Sequence, residues 1–183
     1  MLQLNFTPFP DLLTERLLLR KTTISDADDI FFLRSDKSIL KYLGKSPAKT
    51  VDEAIDFIKM INQSIDSNES ILWAITVKES PKKVIGTICY WRILKEHFRA
   101  EIGYVLHPEY WGKGIMKEAL LKVLEYGFNE MKLHSIEARL DEKNIASEAI
   151  LKATGFTKEG FLKEDFFFEG SFSNTVIYSR LQQ

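Results

Sequence analysis

Between Ala100 and Leu120 the chain reads AEIGYVLHPEYWGKGIMKEAL. The run from Ala100 to Leu106 is rich in aliphatic and aromatic residues and reads as a strand, which stops at His107-Pro108. From Ile115 to about Met131 the pattern changes. Met116, Ala119, Leu120, Val123, Leu124 and Phe128 form one apolar stripe, while Lys117, Glu118, Lys122 and Glu125 face away, so this segment is an amphipathic helix. Glycine begins neither element well, so Gly112 and Gly114 serve the turn between them. Glycines let successive backbone N–H groups converge on an anion, and a helix start adds partial positive charge.

Phosphate-binding turns of two common kinds do not fit. A Walker loop needs GxxxxGK followed by Ser or Thr, a frame that Gly112-Lys113-Gly114 lacks. A dinucleotide fingerprint needs a third glycine where this chain has Lys117. A pyrophosphate grip of another type and a plain tight connection both remain open on this stretch alone.

Working outward, Glu15 to Arg20 reads as a strand, and Ser25-Asp26-Ala27-Asp28 caps a helix that runs to about Leu33. Thr50 with Glu53 fits a capping box before a second helix, whose Ala54, Ile55, Ile58, Ile61 and Ile65 recur at helical spacing. Strands follow at Ile71 to Lys78 and Val84 to Leu94, divided by a turn around Pro81. Beyond the long helix come a strand from Ser135 to Leu140 and a short helix from Asn144 to Ala153 that Gly155 ends. Two last strands, about Phe161 to Phe168 and Asn174 to Arg180, make a terminal hairpin. The order predicts an α/β (α+β) fold, a sheet with helices on its faces, in one domain over residues 1–183.

Composition narrows the function. A net charge of -1 offers no global attraction to nucleic acid or to anionic membrane. No stretch approaches the roughly 18 apolar residues of a membrane span. The N-terminal MLQLNFTPFP lacks a secretion pattern, and the single cysteine, Cys89, has no intramolecular partner, so the chain reads as cytoplasmic. His97, His107 and His134 lie far apart with no ligand spacing, and no metal site is expected.

The two glycines and their flanks resemble the GNAT superfamily of acyl-CoA-dependent N-acetyltransferases, whose signature R/Q-x-x-G-x-G/A opens the long helix after the central strand. Here it reads Glu109-Tyr110-Trp111-Gly112-Lys113-Gly114, with Glu109 departing from Arg or Gln. That departure is familiar in the branch resembling ribosomal-protein N-terminal acetyltransferases of the RimJ/RimL type. TERLLLR (Thr14 to Arg20), VIGTI (Val84 to Ile88) and NIASEAILKATGF (Asn144 to Phe156) follow in family order. The resemblance implies a mixed central sheet with splayed central strands and acetyl-CoA as co-substrate.

It also implies roles. Trp111, Gly112, Lys113, Gly114, Ile115 and Met116 would hold the CoA pyrophosphate, chiefly through backbone amides. Val105 and Leu106 would offer backbone to the pantetheine and the thioester carbonyl, polarising it as the amine adds. Asn144 would lie beside the pantetheine, although it also reads as a helix N-cap. Glu101 is similar in position to the base of many relatives, with an exposed strand residue paired to Arg99 or to lysines as the bland alternative. Many members carry a tyrosine acid where this chain has Leu151; Ser147, three residues after Asn144, matches the substitute suggested for the RimL-like branch.

An α-amine acceptor with pKa about 7.7–8.0 is already roughly a tenth neutral at pH 7, whereas a lysine amine near 10.4 is not, so the former needs only a modest base. The branch resemblance points to a protein N-terminal α-amine. A small amine such as an antibiotic, a polyamine or an amino-acid derivative is the enzymatic alternative, and a non-catalytic CoA-binding module the alternative of another class. Oligomeric state, monomer or homo-oligomer, stays open. Cys89 and Phe166-Phe167-Phe168 read as core residues, His107 as a turn residue, and Glu164, Asp165 and Glu169 as a solvated face.

Overall fold

The computed structural model describes residues 1–182. Eight strands form one sheet: β1 (Leu12–Leu13), β2 (Leu17–Arg20), β3 (Ile71–Val77), β4 (Gly86–Leu94), β5 (Arg99–Leu106), β6 (Ser135–Asp141), β7 (Thr157–Phe168) and β8 (Ser171–Leu181). They lie in the order β1-β2-β3-β4-β5-β6-β8-β7. Every neighbouring pair is antiparallel except β5 and β6. The helices are α1 (Ala27–Ser35), α2 (Lys37–Leu40), α3 (Val51–Asp66), α4 (Ile115–Asn129) and α5 (Ile145–Ala153).

Two apolar clusters cover the two faces of the sheet. Ala27, Ile30, Leu33, Ile39, Ala54 and Ile58, from α1 to α3, pack with Ala74 and Val84, and Val105 rests against them. The apolar stripe of α4 packs on the other face, joined by Leu151 of α5 and by Ile102 and Leu106. Successive strand residues point to opposite faces. In β5, therefore, Glu101, Gly103 and Val105 look toward α1–α3, while Ile102, Tyr104 and Leu106 look toward α4 and α5.

The sheet opens at its parallel seam. β5 pairs with β4 along its whole length, to Leu106 opposite Gly86, but with β6 only through Arg99, Ala100 and Glu101. From Ile102 onward its edge toward β6 is free, because β6 follows β8 instead, up to Asp141 opposite Thr175. A bulge in β4 between Tyr90 and Arg92 lies opposite this point. Bulges increase local twist, which turns β5 away where the two strands part. The splay expected from the resemblance is this cleft.

Several local expectations need adjusting. Asp26, within the expected capping stretch, is the N-cap of α1, but a 3-10 turn over Ile24–Asp26 precedes it with Thr23 as its own cap, and the Asp26 carboxylate accepts from the Thr23 amide at 2.7 Å. Thr50 caps α3, but Glu53 reaches back to the Lys49 amide. α2 was invisible as a four-residue piece; Asp36 caps it by accepting from the Ser38 and Ile39 amides at 2.9 and 3.1 Å. The core reading of Phe166-Phe167-Phe168 fails. β7 is the outer strand, and Phe166 and Phe167 are exposed while Phe168 is half-buried.

Candidate active site

The glycine turn is shaped by both its glycines, with φ +71° at Gly112 and +74° at Gly114, where other residues are strained. The helical ladder begins with the Glu118 amide, which bonds the Gly114 carbonyl at 3.0 Å. The N–H groups of the first turn of this 15-residue helix, with the two left-handed glycines just before them, form an anion nest. Lys113 is not its centre: its ammonium lies 5.6 Å over the Tyr110 ring. Glu109 points away, with its side chain 72% exposed. His107 caps the intervening 3-10 turn by accepting from the Glu109 amide.

The turn is braced from the far end of the chain. Glu118, in the first turn of α4, accepts from the Thr14 hydroxyl at 2.5 Å, the Arg16 amide at 2.9 Å and the Arg16 guanidinium at 2.6 Å. Arg16 also donates to the Lys113 carbonyl at 3.1 Å. Burial raises the Glu118 carboxyl, but these bonds outweigh it and hold the group below the ordinary glutamate range. TERLLLR thus supplies the clamp that sets the nest against β2, a role that neither spacing nor periodicity signals.

Trp111 closes the strand end by donating its indole N–H to the Leu106 carbonyl at 2.8 Å. Val105 and Leu106 lie in the stretch of β5 that has left β6; they still pair with Thr87 and Gly86 of β4, and alternation of the backbone turns Leu106 rather than Val105 toward the cleft edge. Across it, Asn144 accepts from the Ser147 amide at 3.1 Å and caps α5. The Ser147 hydroxyl lies 2.6 Å from the hydroxyl of Tyr104. Burial pushes the Tyr104 phenol up to about 12, the bond to Ser147 opposing it. Tyr104 went unnoticed in the sequence, where it sits 43 residues from Ser147.

Glu101 stands at the apex of the splay, on the opposite face. It is 8% exposed, so the bland reading of an exposed strand residue does not hold. Arg99 is engaged elsewhere, by Glu137 at 2.5 Å. Glu101 has Arg92 at 3.9 Å, and its Oε2 is buried with no hydrogen-bond partner. Burial, then the charge of Glu137, raises its pKa; Arg139 and Arg92 oppose them. A carboxylate short of partners and shifted toward neutrality is suited to take up a proton.

Beside Glu101 opens a groove of about 580 Å³, walled by the loop after α2, the β4 bulge, the end of β6 and the β7–β8 hairpin. Phe166 and Phe168 line it, and so does Asp165, which is exposed as expected and lies 3.9 Å from Arg139. Cys89 donates to the Gly103 carbonyl at 3.5 Å, and burial pushes its thiol up to about 11, unlike a nucleophile. No group of three His, Cys, Asp or Glu among the described residues could hold a metal ion. Among the described residues no helix is long and apolar enough to cross a membrane.

Comparison with known proteins agrees with this geometry. The acetyltransferase (GNAT) domain pattern matches residues 16–157. The uncharacterized N-acetyltransferase p20 of Bacillus licheniformis is 38% identical over 94% of this chain and 96% of its own. The solved spermidine N-acetyltransferase of Vibrio cholerae, in complex with CoA and spermine, superposes with a TM-score of 0.82 at 26% identity, covering 92% of this chain and 97% of that one. RimL, the ribosomal L7/L12 α-N-protein acetyltransferase in complex with coenzyme A, shares the fold, with a TM-score of 0.85 at 19% identity over 94% and 98% of the two chains. By the domain that spans residues 16–157 and by its relatives, the chain belongs to the GNAT acetyltransferases and is an N-acetyltransferase that uses acetyl-CoA.

Proposed function

We propose that the chain acetylates the N-terminal α-amine of a polypeptide, as a RimJ/RimL-like enzyme of the cytoplasm, by direct attack in a ternary complex. The observation that carries the acceptor class is the groove beside Glu101. Its charged lining is Lys41, Arg92 and Arg139 against Glu101, Asp141 and Asp165, three of each sign. A polyamine would be better held by an excess of carboxylates, whereas a peptide brings one amine and an otherwise neutral backbone. The groove is half open and partly aromatic, which suits a chain end entering from outside.

In this reading the amides of Gly112 to Met116 hold the pyrophosphate, with Lys113 as an auxiliary cation and Trp111 shaping the turn. The free edge at Val105 and Leu106, with Asn144 opposite, aligns the pantetheine. Glu101 takes the proton of the attacking amine, and the modest demand of an α-amine fits a single carboxylate. Ser147 faces the departing sulfur. The amine and the thiol then stand on opposite faces of the sheet, with the carbonyl in the seam.

The test uses the full chain with acetyl-CoA and four kinds of acceptor: peptides with free N-termini, N-terminally blocked peptides containing lysine, spermidine and spermine. Thiol release and mass spectrometry of the products read the outcome. Acetyl on the α-amine of the free peptides is expected. Transfer to the polyamines with none to any free peptide would move the chain to the small-amine reading.

A further inference from the structure

We propose that Tyr104 is a positioning residue for the transfer: its phenol donates to the Ser147 oxygen and leaves the serine proton free to point at the sulfur of the thioester. This rests on the reading that Ser147 faces that sulfur.

The geometry is specific. The Tyr104 and Ser147 hydroxyls lie 2.6 Å apart, and each is the other's only side-chain hydroxyl contact among the described residues. A serine hydroxyl carries one proton and can accept two bonds. If Ser147 donated to Tyr104, it would have no proton left for a ligand. A phenol is the more acidic of the two groups, so Tyr104 is the natural donor. Burial keeps the phenol protonated at all working pH values, so the donor does not switch off. The serine is fixed from its other side, because Asn144 caps α5 at the Ser147 amide. Two anchors on different elements, β5 and α5, thus set one hydroxyl.

The placement also accounts for Leu151. That position holds a fully buried leucine in the α4 core, which offers no hydroxyl. The tyrosine comes from the strand instead. As the amine nitrogen bonds to the carbonyl carbon, the carbon–sulfur bond breaks and its electron pair goes to sulfur. The ammonium proton goes to Glu101. A thiolate with pKa about 8.5 needs no full proton from an alcohol; it accepts the Ser147 hydrogen bond and takes its proton from water. The pair therefore stabilises charge on sulfur in the transition state.

The experiment compares wild type, Tyr104→Phe, Ser147→Ala and the double variant for kcat, KM of acetyl-CoA and CoA affinity by calorimetry. Each single variant is expected to lower kcat by about tenfold or more, the size of a hydrogen bond to a charged group. CoA affinity should stay within about twofold of wild type. The double variant should be no slower than Ser147→Ala, because the phenol acts only through the serine. Wild-type kcat in Tyr104→Phe with a slow Ser147→Ala would overturn the inference and leave the serine reading standing. Wild-type kcat in Ser147→Ala would remove both. Multiplying losses in the double variant, or a loss of CoA affinity that matches the loss of kcat, would also overturn the positioning role.

Discussion

Glu101 and Glu137 face each other across the last rung that β5 and β6 share before the strands part. Glu137 is neutralised by Arg99 at 2.5 Å, but its charge still raises Glu101, after the larger effect of burial. Glu137→Gln removes the like charge, so Glu101 should ionise at lower pH. The acid limb of the kcat profile with a peptide acceptor should therefore move down. Glu101→Gln should abolish that limb and lose most turnover at low pH, where the amine needs a base, with the deficit narrowing toward pH 8. An unchanged profile in Glu101→Gln would remove the residue from the chemistry.

The same carboxylate should cost stability. Its folded pKa is raised above the unfolded value, so its contribution is fully present below the ordinary carboxylate range and is lost as pH rises through the raised pKa. At pH 7 wild type bears that loss and Glu101→Gln does not. Thermal unfolding at pH 7 should show the variant melting above wild type. The gap should close near pH 4.

Asp26 should behave in the opposite sense. It is 2% exposed and bonds Arg20 through both oxygens at 2.8 Å. Burial raises its pKa, but the bonds from Arg20 and Thr23 outweigh burial and hold it below the usual range. Stability from this pair is present above the unfolded carboxylate pKa and disappears as pH falls through the lowered one. Asp26→Asn should cost about 3 kcal/mol at pH 7, by leaving Arg20 unpaired, and the loss should shrink in acid.

At the glycine turn, backbone should matter more than charge. Gly114→Ala forces φ +74° on a residue with a Cβ, so the amides should leave their converged geometry. CoA affinity by calorimetry should fall about tenfold. Lys113→Ala removes a cation already resting on Tyr110 and should change affinity about twofold at physiological salt. The reverse ranking would make the lysine, not the nest, the anion site.

Gly44 lines the groove beside Glu101. Its φ is +56°, and a Cβ there would overlap the Phe166 ring. Gly44→Ala should raise the acceptor KM several-fold while leaving the KM of acetyl-CoA unchanged. Adding Phe166→Ala makes room for the methyl and should recover part of the loss; no recovery would place the whole effect in backbone strain.

Much of the fold was legible in short windows. The stripe of α4 and the Gly155 stop appear where periodicity and caps predict them, since these depend on neighbours a few residues away. Thr23, α2 and β1 were missed for the converse reason: four residues or fewer leave no period to read. The phenylalanines of β7 show the limit of composition. An apolar run looks the same in a central strand and an edge strand, and here the edge leaves it lining a groove.

By itself the sequence determined the glycine turn, the helix behind it and the family these imply, because each is written in contiguous residues. Tertiary structure alone decided that Glu101 is buried with its Oε2 lacking a hydrogen bond, that Arg16 braces Glu118 from 102 residues away, and that Tyr104 meets Ser147. Those contacts depend on where β5 leaves β6 and which face each residue then takes. Register between distant strands is a property of the whole sheet, not of any one of them.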